Sequence, residues 1–242
     1  MNVSGGGSRI SLVLVDFDDT LVDTGPRFQN ARRSLLTLMQ EAGFETETVR
    51  AVLFDVIDPD MRVKYGLGPK RMEPAFVATY LHLCELHGTT VVDEVMRRAA
   101  ELGRGCYGAG PLFEGALDAL RRLAHAHSTV IYTQSGDLEY QLSCVRDAGI
   151  GEIIAEEHIR ICERKDVGMF SGALQSYGVT NPTEAWMIGN SMRSDINPAL
   201  EAGANAILVE TEDPWEHDVV EPHSSSFHRV RTFPDAVGLL VP

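Results

Sequence analysis

An α/β fold, a doubly wound parallel sheet with a separate helical insert, is what this sequence predicts, and three observations predict it. Short apolar runs rich in β-branched residues recur along the chain, bounded by turn or polar residues. From about residue 111 onward, helical stripes alternate with them. Between the first run and the rest lies a stretch of about 90 residues with a purely helical rhythm.

In chain order, the segment 1–9 is a Gly/Ser-rich flexible tail, and Ile10–Val15 is the first buried strand. Phe28, Ala31, Leu35 and Leu38 lie at helical spacing, as do Val49, Leu53 and Val56. Pro74–Leu86, carrying Phe76, Val77, Tyr80, Leu81 and Cys84, and Val91–Leu102, carrying Val92, Val95, Met96 and Ala99, give two more helices. The insert 23–105 is thus expected as a small four-helix domain whose loops are Gly43–Thr46, Asp58–Arg71 and His87–Thr90. The chain re-enters the core, 10–22 and 106–242, through the Gly- and Pro-rich Gly103–Pro111. There the stripe Leu117, Leu120, Leu123 precedes a strand at Thr129–Tyr132, and Leu142, Val145, Ala148 follows it. The strands Ala185–Ile188 and Ala204–Val209 flank a helix at Pro198–Ala202.

Composition sets limits. The length of 242 residues allows one substantial core plus a smaller unit. No run approaches the ~20 apolar residues needed to span a bilayer, and no apolar signal core follows Met1, so a cytoplasmic protein with no membrane partner is expected. Cys84, Cys106, Cys144 and Cys162 show no paired spacing; they read as reduced, buried fillers. A net charge of −14 without a compensating basic cluster speaks against nucleic acid as a partner.

Candidate chemistry begins where the first strand ends, at Asp16-Phe17-Asp18-Asp19-Thr20, at the edge where open α/β sheets bind ligands. Sitting two positions apart, Asp16 and Asp18 can face one ligand as the chain leaves the strand, one attacking phosphorus and the other handling the leaving group's proton. Such crowded carboxylates need a cation; read alone, the segment is also a plausible acidic helix cap. Three further elements follow in order. Val130-Ile131-Tyr132-Thr133-Gln134 is a strand ending in a hydroxyl able to bond a phosphoryl oxygen. Lys165 is a point charge able to neutralise nucleophile and phosphoryl group, though alone it reads as a surface lysine. Met187-Ile188-Gly189-Asn190-Ser191-Met192-Arg193-Ser194-Asp195 is a strand, a Gly turn and a carboxylate opening a helix.

Taken together, from about residue 10 to 210, these elements resemble the four signatures of the haloacid dehalogenase (HAD) superfamily. The resemblance implies a Rossmann-like core and a helical cap inserted after the first strand. It also implies Asp16 as nucleophile, Asp18 as general acid/base, and Thr133, Gln134 and Lys165 at the phosphoryl group. Mg2+ would be held by Asp16, Asp195, the backbone carbonyl of Asp18 and Asn190. Oxygen-only ligands suit that hard ion. At 190 the pattern often has Asp; an amide binds as a neutral oxygen or orients water but supplies no charge.

Superfamily members that cleave carbon–halogen bonds typically lack the second carboxylate, since a halide leaves without a proton, so Asp18 favours phosphate esters. The resemblance thus implies a Mg2+-dependent phosphatase acting on a small-molecule phosphate ester through an aspartyl-phosphate. The alternatives are a phosphomutase and, because of Asn190, a catalytically weak binding or regulatory member. Arg27, Arg32, Arg33, Arg62, Lys64, Lys70 and Arg71 are the insert's basic residues, and the segment Met61–Arg71 reads as an exposed, charge-dense loop or as a solvated face. Trp215, Glu216 and His217 line a cleft or cover the sheet edge; no catalytic role falls to them.

Overall fold

The computed structural model describes residues 10–211 and 218–241. The chain divides into two compact units, one of residues up to 23 with 111–134 and 145–242, the other of 24–110 with 135–144.

The first unit is built on six strands: β1 (Leu12–Val15), β2 (Thr129–Gln134), β3 (Ile159–Cys162), β4 (Ala185–Gly189), β5 (Asn205–Val209) and β6 (His228–Val230). Their order is β3-β2-β1-β4-β5-β6 and every pairing is parallel. Four sequence-expected strands are present, with ends shifted by one or two residues. The expectation omitted β3 and β6, the two edges. Edge strands are half-solvated, so Ile-Arg-Ile-Cys and His-Arg-Val carry arginines where central strands carry valine and isoleucine.

The pleat sends alternate residues to opposite faces. Leu12 and Leu14, with Val130, Tyr132, Met187, Ala206 and Leu208, pack on one face against Phe170, Ala173 and Leu174 of α8 (Val167–Ser176) and Ala199 of α9 (Asn197–Glu201). Val13, Val15, Ile131, Ile188 and Ile207, all fully buried, point the other way. The expected stripe of α6 (Ala116–Ala126) contributes Leu120 and Leu123 to the core, and α10 (Phe233–Leu240) packs on α6 and on β5 and β6.

In the second unit the expected four helices are five: α1 (Gly25–Glu41), α2 (Thr46–Ala51), α3 (Asp58–Tyr65), α4 (Met72–His87) and α5 (Asp93–Arg104). The difference is the stretch Asp58–Arg71, expected as loop, whose first eight residues are helical. Pro59 lies near the start of this helix, and the π-helical segment Val52–Ile57, which leads into it without a break, has the wider turn that accommodates a residue lacking an N–H. Apolar residues of α1, α2, the π segment and α4 share one core with Ala99 and Cys106. Helices α4 and α5 cross closely at Gly103, where an added Cβ would lie 2.5 Å from the Glu73 Cα. Three residues expected on the helical stripes, Val56, Leu81 and Val92, instead face solvent. Arg71, expected in an exposed loop, is buried and pairs with Asp58 at 2.6 Å. Helix α7 (Leu138–Asp147) carries the stripe Leu142, Val145 with Ala148 just beyond it.

All four cysteines are buried and free. Among the described residues no helix is long and apolar enough to cross a membrane.

Candidate active site

β1 lies between β2 and β4, with Val15 in register with Ile131 on one side and Ile188 on the other. The chain leaves β1 at Asp16, beside Gly189 at the end of β4, while β2 runs on past this level to Gln134. This is the point where strand order reverses in a doubly wound sheet, the usual ligand crevice.

Beyond β1 the chain folds back on itself. The amides of Thr20, Leu21 and Val22 all donate to the Phe17 carbonyl, and Asp19 adopts a left-handed conformation (φ 57°) that Asp tolerates better than most residues. The turn brings the Thr20 hydroxyl back to Asp16, where it donates to Oδ2 at 3.0 Å, and within 3.4 Å of Asn190 Oδ1. Asp18 is half-buried on the same turn. Thr20, which the sequence suggested only as a cap, is thus a direct partner of the candidate nucleophile.

Lys165 supplies the opposing charge. Its ammonium donates to Asp16 Oδ1 at 2.5 Å and to Asp195 Oδ1 at 2.6 Å, and it lies 5.5 Å from the centre of the Tyr132 ring. All three charged groups are buried. Burial works to lower the lysine pKa, but the two carboxylates outweigh it and hold the group above its ordinary value, firmly protonated. Burial pushes Asp195 the other way for an acid, upward, opposed by Lys165 and reinforced by the charge of Asp16.

Asp195 does not open a regular helix as the sequence suggested; it lies in a π-helical turn, Met192–Ile196, before α9. The turn presses its carboxylate onto Gly189, where a Cβ would fall 2.3 Å from Oδ2, so only glycine admits it. The Ser191 amide donates to Oδ2 at 3.0 Å. The Ser191 hydroxyl donates to Asp218 Oδ1 at 2.8 Å. Burial pushes the Asp218 carboxyl up to about 6, while the Ser191 hydrogen bond works to lower it.

On β2, Thr133 is buried at the strand end and its carbonyl accepts from the Cys162 thiol. Gln134 points elsewhere: its amide donates to the Glu163 carbonyl at 3.0 Å. The fold therefore joins Asp16, Lys165, Asp195 and Asn190 in one constellation, with Gln134 engaged at the sheet edge. Sequence reasoning missed Ser191 and Asp218. The first lay inside a quoted motif without a role, and the second had no local signal at all. Trp215, Glu216 and His217 lie outside the described residues.

For a hard divalent ion the donor set is oxygen-rich: two carboxylates, the Asn190 amide oxygen and the Thr20 hydroxyl. Among the described residues no three His, Cys, Asp or Glu side chains by themselves form a metal-binding group. An ion there must complete its shell with neutral oxygens and water, as Mg2+ habitually does. The residues fit that ion.

The family model for haloacid dehalogenase-like hydrolases matches residues 10–203. The chain belongs to that family, and it is a HAD-like hydrolase by the same match. No curated protein matches it by sequence. Among solved structures it is similar to a haloacid dehalogenase-like family hydrolase from Xanthomonas campestris, with 23% identity, TM-score 0.78, and 98% of this chain and 94% of that one covered. It is also similar to YfnB of Bacillus subtilis, described as a HAD-hydrolase bound to magnesium, with 17% identity, TM-score 0.62, and coverage of 96% and 99%. A 2-haloacid dehalogenase from Pseudomonas syringae shares 21% identity at TM-score 0.58, covering 96% and 98%. At these identities the likeness concerns the fold, and the neighbours include dehalogenases and phosphatases alike.

Proposed function

We propose that this hydrolase is a cytoplasmic, Mg2+-dependent phosphatase that cleaves a small phosphorylated metabolite through an aspartyl-phosphate, with the helical insert as a cap domain selecting the substrate. The observation that carries this reading is the Asp16 carboxylate, held at one oxygen by Lys165 and at the other by Thr20, with Asp18 two residues on. Four reduced, buried cysteines fit a reducing compartment.

Asp16, Asp195, Asn190 and the backbone carbonyl of Asp18 would hold Mg2+, which when bound supplies the positive charge that an anionic substrate needs among these acids. The remaining work belongs to the chain. Thr20 and Lys165 fix the Asp16 carboxylate, and an Asp16 oxygen attacks phosphorus. As the bond from phosphorus to the ester oxygen breaks, Asp18 gives that oxygen its proton. Water then attacks the phosphorus of the acyl phosphate and yields a proton to Asp18; inorganic phosphate leaves and the Asp16 carboxylate is restored. Lys165 and the Thr133 hydroxyl receive the phosphoryl oxygens. Gln134 joins them only by giving up its bond to Glu163.

Asp18 separates this reading from dehalogenation, since a departing halide needs no proton. The test is a panel of phosphorylated metabolites and 2-haloacids, with and without Mg2+, scored for phosphate, halide and isomerised sugar phosphate. Mg2+-dependent phosphate release is expected. Halide release, isomerisation without phosphate, or silence across the panel would each overturn it.

A further inference from the structure

The site has one feature that neither the family match nor the four motifs assign, the carboxylate of Asp218. It reaches the metal loop from a point 27 residues further along the chain, through the buried Ser191. Ser191 works with three hands. Its amide donates to Asp195 Oδ2 at 3.0 Å, its hydroxyl oxygen accepts from the Ser194 amide at 3.0 Å, and the hydroxyl proton goes to Asp218. A hydroxyl has one proton. With Ser194 occupying its acceptor side, Ser191 presents that proton to Asp218, which must accept it.

The loop this fixes is short of charge. Asn190 stands there as a neutral amide, its oxygen engaged near Thr20, and Lys165 offsets one of the two negative charges on Asp16 and Asp195. Asp218 lies within electrostatic reach of Asp16, Asp19 and Lys165. We infer that Asp218 is a positioning residue for the divalent cation: acting through Ser191, it holds the 189–195 loop and supplies the negative charge that Asn190 lacks. The inference rests on the Mg2+-dependent reading above. Groups that orient a metal's direct ligands typically change its affinity by about 10- to 100-fold when removed.

Calorimetric titration of the substrate-free protein with Mg2+ reads this without reference to turnover. Asp218→Asn should weaken binding by about 10- to 100-fold while preserving the circular dichroism spectrum, and Asn190→Asp added to it should restore much of the loss. Because Asn190→Asp replaces charge but not the Ser191–Asp218 bond, rescue marks an electrostatic role that a purely structural residue would not show. Unchanged Mg2+ affinity in Asp218→Asn, or failure of the second change to rescue it, overturns the inference while the metal reading stands. If the unaltered chain fails to bind Mg2+, both fall.

Discussion

Two buried ionic clusters in this chain have mirror-image compositions. In the sheet unit, two carboxylates, Asp16 and Asp195, share one ammonium, Lys165. In the helical unit, two guanidiniums, Arg71 at 2.6 Å and Arg62 at 3.6 Å, share one carboxylate, Asp58. What differs is how each is assembled. The Asp58 cluster is local: Arg62 is one helical turn away, and Arg71 is the residue just before α4. The Asp16 cluster joins residues 149 and 30 positions apart at the carboxyl edge of three parallel strands. Nothing in local structure requires it, and its excess charge is negative where an anionic substrate is proposed to bind. A local cluster of buried charge stabilises helices, whereas a long-range, unbalanced one at a strand edge is suited to chemistry.

That contrast can be broken at several points. The largest effect belongs to Asp16→Asn, which should abolish Mg2+-dependent hydrolysis and leave the circular dichroism spectrum unchanged, since the exchange is isosteric. Near-normal turnover in this variant would remove the distinction between the clusters.

Asp18→Ala comes next. Loss of general acid/base help should cost about 100- to 10,000-fold on alkyl phosphates and distinctly less on aryl phosphates, whose leaving groups need little protonation. Equal losses on both would reduce Asp18 to geometry or metal binding.

Gly189→Ala tests the loop directly. The new Cβ must displace the Asp195 carboxylate, so the Mg2+ concentration for half-maximal activity should rise by about 10- to 100-fold. An unmoved half-activation would mean that Asp195 has no part in the metal site.

Arg71→Met should do the reverse of these three. Removing one partner of a buried pair costs about 3 kcal/mol or more, read as a lower urea midpoint, while turnover of a small aryl phosphate stays unchanged. A catalytic loss without a stability loss would show that the helical cluster is not the structural one.

The smallest effect concerns the cysteines. Burial pushes the Cys106 thiol up to about 11, and at pH 8 it is therefore protonated and unreactive. A thiol reagent should label none of the four buried cysteines at that pH until denaturant is added. Rapid labelling of one in the native protein would show that the burial described for it does not hold in solution.

The sheet's interior was legible because central parallel strands are continuous apolar runs, as in Ile10–Val15 and Ala185–Ile188. Its edges were not, because β3 and β6 expose one side and mix arginine with their apolar residues. Helix α3 left no apolar stripe to read, because Asp58–Tyr65 is mostly polar or charged and contains a proline. In the site, Asp16, Asp18 and Asp195 stood out as carboxylates at strand ends. Lys165 was visible only through the family resemblance, and its grip on two acids required the fold. Asp218 was invisible for the same reason: a side chain 27 residues from its partner leaves no spacing to read.

The central claim is that Asp16 carries the phosphoryl group. It is tested most directly by mixing excess protein with a phosphate monoester and Mg2+, quenching in acid within one turnover, and weighing the peptides by mass spectrometry. The account predicts the added mass of one phosphoryl group on the peptide containing Asp16, absent when Mg2+ is chelated and absent in Asp16→Asn. Phosphate released at the normal rate with that peptide unmodified, or the phosphoryl group found on another residue, would contradict it.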